Sequence, residues 1–240
     1  MDASNATSAM LARDHLALAL DVADLDAALA LAELLRPFFS VAKVGLELFV
    51  AEGPDVVRAM TGEGFDVFLD LKLYDIPNTV GRAASRAAAI GASYVTVHTA
   101  GGEAMVRAAV EGFRSASGRE EDGSGILGVT VLTSDPVATE QALTERAALA
   151  ANTGCVGIVC AAGDLPIVTG PKSSLITVVP GIRLASSSVD DQSRIATPAS
   201  ALEMGADLLV IGRTVTGADD PAAAAALVAA QVAEKLGLKA

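Results

Sequence analysis

The stretch FDVFLDLKLYDIPNTVGRAASRAAAIGASYVTVHT, residues 65–99, contains one complete unit of strand, helix and strand. The runs 65–72 and 93–99 are short, apolar and contain β-branched and aromatic residues, which favour strands. Between them, 77–92 opens with proline and repeats small apolar residues at helical spacing. Two short strands joined by a helix are typical of a parallel sheet.

The same alternation recurs along the chain and gives eight strand and helix units. Eight units favour a closed (β/α)8 TIM barrel, a fold that typically needs about 250 residues. The competing architecture, an open doubly wound sheet, usually has a glycine-rich turn after its first strand, where this chain has LDVADLD. We therefore predict one α/β barrel over residues 15–240, after a flexible N-terminal segment, 1–14. The predicted strands are 15–21, 40–45, 65–72, 93–99, 126–133, 155–160, 174–180 and 206–212.

The composition argues against several classes of partner. The formal net charge is -12, and no run of Lys and Arg forms a basic face, which disfavours nucleic acid and anionic membranes. No apolar stretch reaches membrane-spanning length. The two cysteines, Cys155 and Cys160, are interpreted as reduced thiols of a cytoplasmic protein. Glu47 and Glu103 are not accompanied by residues at metal-ligand spacing, so no metal is predicted.

Charged residues stand at the C-terminal ends of the first three predicted strands. Asp70 and Lys72 are two residues apart in the third strand and therefore share one face of it. Lys43 lies near the end of the second strand, Asp21 ends the first, and Asp75 follows in the loop after the third. In a TIM barrel this is the end at which the βα loops form the active site.

Any one of these charges can be explained as a strand end that meets water. The set is harder to explain that way, because charged side chains are rarely buried without partners. Two ammonium groups and two carboxylates alternate in Lys43, Asp70, Lys72 and Asp75, so the array neutralises itself. Such an array is preorganised to act on a charged substrate without rearranging.

The run DLKLYDIPNT, residues 70–79, resembles the signature Asp-x-Lys-x-x-Asp-Ile-Pro-Asn-Thr of the orotidine 5'-monophosphate decarboxylase family. The similarity continues in order through LALDV, KVGLELF, TVHTAGG, GVTVLTS, VVPGIR and VIGRTVT, and so covers the whole barrel. The resemblance implies a carboxy-lyase of pyrimidine biosynthesis that converts orotidine 5'-monophosphate to uridine 5'-monophosphate. It also implies that the enzyme uses no cofactor.

The resemblance further implies roles for the strand-end charges. Lys72 would be the proton donor, and Asp70 the carboxylate beside the departing carboxylate of the substrate. Lys43 and Asp75 would complete the charged network, while Asp21 and Lys43 would bind the ribose hydroxyls.

A homodimer is also implied, because the Asp-Ile-Pro-Asn-Thr loop of the family reaches into the site of the neighbouring subunit. We therefore expect Asp75, Ile76 and Thr79 to form part of the partner's site.

The resemblance assigns further residues to the other parts of the nucleotide. Thr133 would contact the pyrimidine, although the adjacent Ser134 offers the same hydroxyl. The residues assigned to the phosphate are Arg183, Gln192, Gly212 and Arg213. Independently of the resemblance, positions after strands seven and eight are where TIM barrels commonly hold phosphate. The polar segment from 183 to 192 is predicted to close over the site.

Two other functions fit parts of this sequence. A related decarboxylase or aldolase of sugar phosphates, such as keto-gulonate phosphate decarboxylase, also carries Asp-x-Lys-x-x-Asp, but it resembles the chain less at IPNT, 76–79, and depends on magnesium. A non-catalytic binder of phosphorylated metabolites can use the same scaffold, but it has no need of four alternating charges. His98 is given no catalytic role, because a hydrogen-bonded wall position explains it equally well.

Overall fold

The computed structural model describes residues 11–118, 123–132, 139–170, 174–184 and 196–238. Eight parallel strands pair in sequence order, and the eighth closes on the first. The predicted TIM barrel is therefore confirmed. The strands are β1 Leu16–Leu20, β2 Val41–Gly45, β3 Asp66–Leu73, β4 Ala92–His98, β5 Gly125–Val129, β6 Gly157–Val159, β7 Ile176–Val179 and β8 Leu208–Ile211.

Helices follow the strands and cover the outside of the barrel. Several begin with proline at the first helical position, where the missing N–H has no intrahelical partner to lose. The helices are α1 Leu25–Leu35, α2 Leu46–Glu52, α3 Pro54–Gly62, α4 Pro77–Ala89, α5 Glu103–Ser117, α6 Glu140–Thr153, α7 Leu165–Val168, α8 Pro198–Glu203, α9 Arg213–Thr216 and α10 Pro221–Leu236. Within the described ranges, none of them is both long and apolar enough to span a bilayer.

Strand parity divides the apolar side chains into two cores. One parity class points outward and packs under the helices, as Leu16, Leu18 and Leu20 do in β1. The other class fills the barrel interior, where small residues of β1 face larger ones across the axis. The interior cluster is Ala17, Ala19, Val41, Phe68, Leu127, Val178, Leu208 and Val210. This packed interior closes the barrel below its C-terminal mouth, and the space for a site is therefore at the mouth.

Each predicted strand overlaps an observed one, and the largest difference is at the end of β5. The prediction extends this strand to 133, whereas the observed strand ends at Val129. The Thr130 carbonyl accepts a hydrogen bond from Arg146 Nη1 at 2.6 Å. Val131 and Leu132 then leave the sheet and line a cavity at the mouth.

The predicted N-terminal segment, 1–14, is described only from Leu11 onward. There Ala12 is fully buried, and the Arg13 carbonyl accepts hydrogen bonds from both the backbone N–H and the hydroxyl of Ser40. The boundary between a flexible segment and the barrel stays a prediction.

Helices α4 and α5 meet through their backbones. A Cβ added at Gly112 would overlap the carbonyl oxygen of Gly81, and one added at Gly81 would lie 2.9 Å from the carbonyl oxygen of Ala108. Glycine is therefore required for this close approach. The contact holds α4 in place directly after the loop that carries Asp75.

Both cysteines are free and buried. Burial raises the pKa of the Cys155 thiol to about 11 and that of the Cys160 thiol to about 12. Both side chains therefore remain neutral thiols at ordinary pH.

Candidate active site

A cavity opens at the C-terminal mouth of the barrel, as the strand-end charges predict. Its floor is Phe68 and Val210 from the interior cluster, and its wall carries charges from several different βα units. The lining residues are Ala19, Asp21, Lys43, Phe68, Asp70, Lys72, Val129, Val131, Leu132, Val159, Pro180, Gly181, Arg183, Val210, Gly212 and Arg213.

Lys43 and Asp21 form an ion pair across the first two strands. Lys43 lies in β2 beside Ala19 of β1, and Asp21 follows β1 directly, so the two side chains reach the mouth together. Lys43 Nζ donates to Asp21 Oδ1 at 2.9 Å. The lysine side chain is 11% exposed and the aspartate side chain 58%, so the carboxylate can also accept hydrogen bonds from a ligand.

Gly45 leaves room for this pair at the end of β2. A Cβ at that position would lie 3.3 Å from both Lys43 Nζ and Asp21 Oδ1. That distance is shorter than an ordinary van der Waals contact, so a larger residue would press on the two charged groups.

Lys72 and Asp70 form a second ion pair within β3. Lys72 Nζ donates to Asp70 Oδ2 at 2.7 Å, and both groups are partly buried. This geometry agrees with the parity argument, which places both side chains on the same face as Phe68.

A β-bulge shapes this end of β3. Leu69 pairs with Val95 and Leu73 with Val97, so the three residues 70–72 stand opposite the single residue Thr96. Lys72 takes φ 49°, in the left-handed region that residues with a side chain rarely adopt. Such strained backbone is often found where function requires a particular side-chain direction.

Thr96 forms hydrogen bonds to both Asp70 and Lys72, a role that was not predicted from the sequence. Its hydroxyl accepts a hydrogen bond from the Lys72 backbone N–H at 2.8 Å and donates one to Asp70 Oδ1 at 2.9 Å. Thr96 is fully buried. Its parity with Tyr94 in β4 places it inside the barrel, which is the one signal that could have identified it.

The structure brings Lys43, Asp70 and Lys72 to one cavity, but Asp75 lies outside the cavity of its own chain. Asp75 is exposed, and its Oδ1 accepts a hydrogen bond from the Ile76 N–H at 2.6 Å. Ile76 and Thr79 are exposed as well. This exposed position would let the three residues reach the site of a partner subunit, and that role stays a prediction.

The residues expected at the phosphate line the part of the mouth that follows β7 and β8. Gly212 and Arg213 follow β8, and Arg183 follows β7. Arg183 Nη1 donates to the Ile182 carbonyl at 3.1 Å and lies 3.5 Å from Thr214 Oγ1, whose hydroxyl donates to the same carbonyl at 2.8 Å. Thr214 therefore helps to hold the guanidinium at the mouth.

Thr133, Ser134 and Gln192 lie outside the described residues, and so does most of the predicted closing segment, 183–192. Their assigned contacts with pyrimidine and phosphate stay predictions.

The cavity carries an excess of positive charge on a strongly acidic protein. Among the described residues, four cationic side chains line it, against the carboxylates of Asp21 and Asp70. The remaining wall is mostly apolar and comes mainly from β5, β6 and the segments that follow them, including Val129, Leu132 and Val159, with Pro180 after β7. A ligand with anionic groups and an apolar face matches this distribution of charge and surface.

His98 lies beside the ion pair at the end of β4 and does not line the cavity. Its ring packs edge-on against Tyr74, with the ring centroids 5.9 Å apart. Burial lowers the pKa of His98, and the positive charges of Lys72 and Arg146 lower it further, against an opposing effect of Asp70. The lowered pKa keeps the imidazole neutral at ordinary pH, and the ring packs beside the site without lining the cavity.

Glu47 and Glu103 have local roles within their own helices. Glu103 accepts a hydrogen bond from Arg107 at 2.6 Å on α5. Glu47 lies in the first turn of α2, where a negative charge interacts favourably with the helix dipole. Across the part of the chain that the structure describes, no group of three or more His, Cys, Asp or Glu side chains is placed to hold a metal ion.

Comparison with known proteins agrees with the sequence resemblance. Residues 14–228 match the model of the orotidine 5'-phosphate decarboxylase / HUMPS family. An orotidine 5'-phosphate decarboxylase of Anaeromyxobacter sp. (strain K) is 46% identical over 230 residues, which cover 90% of this chain and 97% of that protein. One of Halorhodospira halophila is 44% identical over 231 residues, covering 91% and 96% of the two chains.

A solved structure supports the same relationship. The crystal structure of an orotidine 5'-phosphate decarboxylase from Lactobacillus acidophilus superposes with a TM-score of 0.76 at 30% identity and covers 90% of this chain and 98% of that one. The predicted resemblance to this family is thereby confirmed. The chain belongs to the orotidine 5'-phosphate decarboxylase / HUMPS family.

Proposed function

We propose that this protein is a carboxy-lyase that converts orotidine 5'-monophosphate to uridine 5'-monophosphate in pyrimidine biosynthesis. The observation that carries the proposal is the Lys72 and Asp70 ion pair, 2.7 Å long, in a cavity whose other side holds Arg183 and Arg213. The names of relatives at 44–46% identity over most of the chain support the same reaction.

The chemistry requires charge stabilisation at one carbon atom. When the bond between C6 and the carboxylate breaks, its electron pair stays on C6 and carbon dioxide leaves. The Lys72 ammonium stabilises this growing negative charge and then transfers a proton from Nζ to C6. Asp70 lies beside the departing carboxylate and disfavours its charged ground state. The reaction then consists of one bond cleavage and one proton transfer, for which these side chains suffice without a cofactor.

The other charged residues bind the substrate in this proposal. Asp21 and Lys43 bind the ribose hydroxyls, and the exposed side of the Asp21 carboxylate can accept hydrogen bonds from them. The phosphate is bound by Arg183, Gln192, Arg213 and the backbone at Gly212. Thr133 or Ser134 contacts the pyrimidine.

Phosphate binding also supports catalysis in this scheme. Binding energy from a remote part of the substrate can hold the reacting carbon in register with the ion pair, and so raise kcat as well as affinity. Closure of the 183–192 segment over the phosphate would further exclude water from the charged groups.

The proposed functional unit is a cytoplasmic homodimer. Asp75, Ile76 and Thr79 would enter the site of the partner, and Asp75 would complete the alternating array there. In support, Tyr74 and Ile76 on either side of Asp75 are 64% and 65% exposed, so apolar surface flanks the carboxylate. Such surface is commonly covered at subunit interfaces.

The decisive experiment is a direct assay with orotidine 5'-monophosphate in excess chelator, followed by the loss of ultraviolet absorbance. We expect full turnover under these conditions. Turnover of a keto-gulonate phosphate that requires magnesium, with none of orotidine 5'-monophosphate, would favour the sugar-phosphate enzymes instead. Binding of uridine 5'-monophosphate without turnover of either substrate would indicate a non-catalytic binder.

A further inference from the structure

Thr96 occupies an unusual place in the sheet. Three residues of β3, 70–72, stand opposite this one residue of β4, so the normal ladder of backbone hydrogen bonds is interrupted there. The Lys72 N–H is thereby left without a strand partner. It donates instead to Thr96 Oγ1 at 2.8 Å.

The Thr96 hydroxyl uses both of its hydrogen-bonding functions on the two members of the ion pair. Its oxygen accepts from the Lys72 backbone, and its hydrogen is donated to Asp70 Oδ1. Asp70 Oδ2 accepts from Lys72 Nζ. The two oxygens of one carboxylate are therefore bound to different donors, which fixes the rotation of the Asp70 carboxylate.

We propose that Thr96 is a positioning residue for the decarboxylation reaction, acting through its hydroxyl alone. The hydroxyl stabilises the positive φ of Lys72 and holds the Asp70 carboxylate in the orientation that receives the Lys72 ammonium. This inference rests on the proposed function, because it concerns how the same ion pair is held. Thr96 does not line the cavity, so its effect passes through Asp70 and Lys72.

Removal of the hydroxyl would disturb both residues at once. The Lys72 N–H would lose its acceptor on the fully buried Thr96, and an unpaired backbone donor at this partly buried position is costly. The left-handed conformation of Lys72 would lose its stabilising contact, and the bulge would relax toward a regular strand. Asp70 would keep the bond to Lys72 Nζ but lose the second donor that fixes its plane.

The test compares Thr96→Val, which keeps the shape and removes the hydroxyl, with Thr96→Ser, which keeps the hydroxyl. We expect Thr96→Val to lower kcat by about 10- to 100-fold, because small displacements of reacting groups are costly. The KM for orotidine 5'-monophosphate and the Kd for uridine 5'-monophosphate should change less than about threefold, since the ribose and phosphate contacts are intact. Thr96→Ser should retain most of the wild-type kcat.

Thr177→Val is the matched control for loss of a buried threonine hydroxyl. Thr177 lies in β7, is 2% exposed, and hydrogen bonds to Asp207 at the opposite end of the barrel. This variant should lose stability and keep its kcat. If Thr96→Val does not fold, Thr96→Ala replaces it, and the comparison of Ala with Ser at position 96 gives the same information.

Several outcomes would overturn the inference. These are wild-type kcat in Thr96→Val, equal losses in Thr96→Ser and Thr96→Val, or a fall in kcat matched by Thr177→Val. A crystal structure of Thr96→Val provides a readout that does not depend on activity. A retained φ near 49° at Lys72 and an unchanged contact between Lys72 and Asp70 would also overturn it. Failure of the wild-type enzyme to turn over orotidine 5'-monophosphate would instead refute the proposed function.

Discussion

Lys72 Nζ lies 2.7 Å from Asp70 Oδ2, and the backbone of β3 is bulged between these two residues. In a regular strand, side chains two apart point the same way but stand side by side. Here Lys72 takes a positive φ of 49° within the bulge, and its Nζ reaches Asp70. The ion pair therefore coincides with local backbone strain as well as with strand parity.

The first prediction concerns Lys72 as proton donor. Lys72→Ala should lower kcat by at least about a thousandfold, because it removes both the ammonium that stabilises the carbanion and the acid that protonates it. Binding of uridine 5'-monophosphate, measured by calorimetry, should persist because the phosphate contacts are unchanged. Lys235→Ala, which removes an ammonium paired with Glu203 away from the cavity, is the control and should be fully active. Near-normal kcat in Lys72→Ala would refute the assignment.

The sequence predicted the parts of this site that depend on periodicity. Parity placed Asp70 and Lys72 on one face, and the order of eight strands placed Lys43 and Arg213 at one mouth. The bulge at 70–72 was not predictable, because it depends on the register of β3 against β4 and leaves no mark in either strand alone. The role of Thr96 follows from that register and was missed for the same reason.

The second prediction concerns Arg213 as a phosphate ligand. Arg213→Ala should raise the KM for orotidine 5'-monophosphate by about 10- to 100-fold, the effect expected from losing a charge-assisted hydrogen bond to an oxyanion. Steady-state kinetics at fixed ionic strength measure this change. Arg107→Ala, which removes an exposed guanidinium paired with Glu103, is the control. An unchanged KM in Arg213→Ala would count against phosphate binding at this position.

The third prediction tests whether two subunits share a site. Lys72→Ala and Asp75→Asn should each be nearly inactive as pure proteins. In a mixed dimer, one site contains both substitutions and the other contains neither. After equal mixing and subunit exchange, about a quarter of all sites should therefore combine a wild-type Lys72 with a wild-type Asp75 from the partner. Activity should therefore rise on mixing. If the mixture shows only the average of the two pure variants, Asp75 does not act across an interface.

The fourth prediction concerns the backbone contact between α4 and α5. Gly112→Ala should lower the free energy of unfolding by about 1–3 kcal/mol, because the added Cβ would overlap the Gly81 carbonyl oxygen and force the helices apart. Urea denaturation followed by circular dichroism measures it.

Gly62→Ala is the matched control in this case. Gly62 ends α3, and a Cβ there would meet no atom beyond its own helix within 4 Å. Alanine should be neutral or stabilising by up to about 1 kcal/mol at this position, because it favours the helix more than glycine does. A Gly112→Ala variant as stable as Gly62→Ala would show that the two helices separate at little cost.

The fifth prediction concerns His98 and acid stability. The folded protein lowers the pKa of His98 below 6.5, first by burial and then through Lys72 and Arg146, while the unfolded chain keeps the ordinary value. Below pH 6.5 the unfolded state therefore binds a proton that the folded state does not, so the free energy of unfolding falls as the pH falls. Above pH 6.5 both states are neutral at this residue and the effect vanishes. Urea denaturation between about pH 7.5 and about pH 5.0, values chosen to bracket the ordinary histidine pKa, should show a smaller loss of stability in His98→Gln than in the wild type. The same pH dependence in both proteins would mean that His98 is protonated as readily in the fold as in the unfolded chain, and that its burial against Tyr74 does not disfavour the charge.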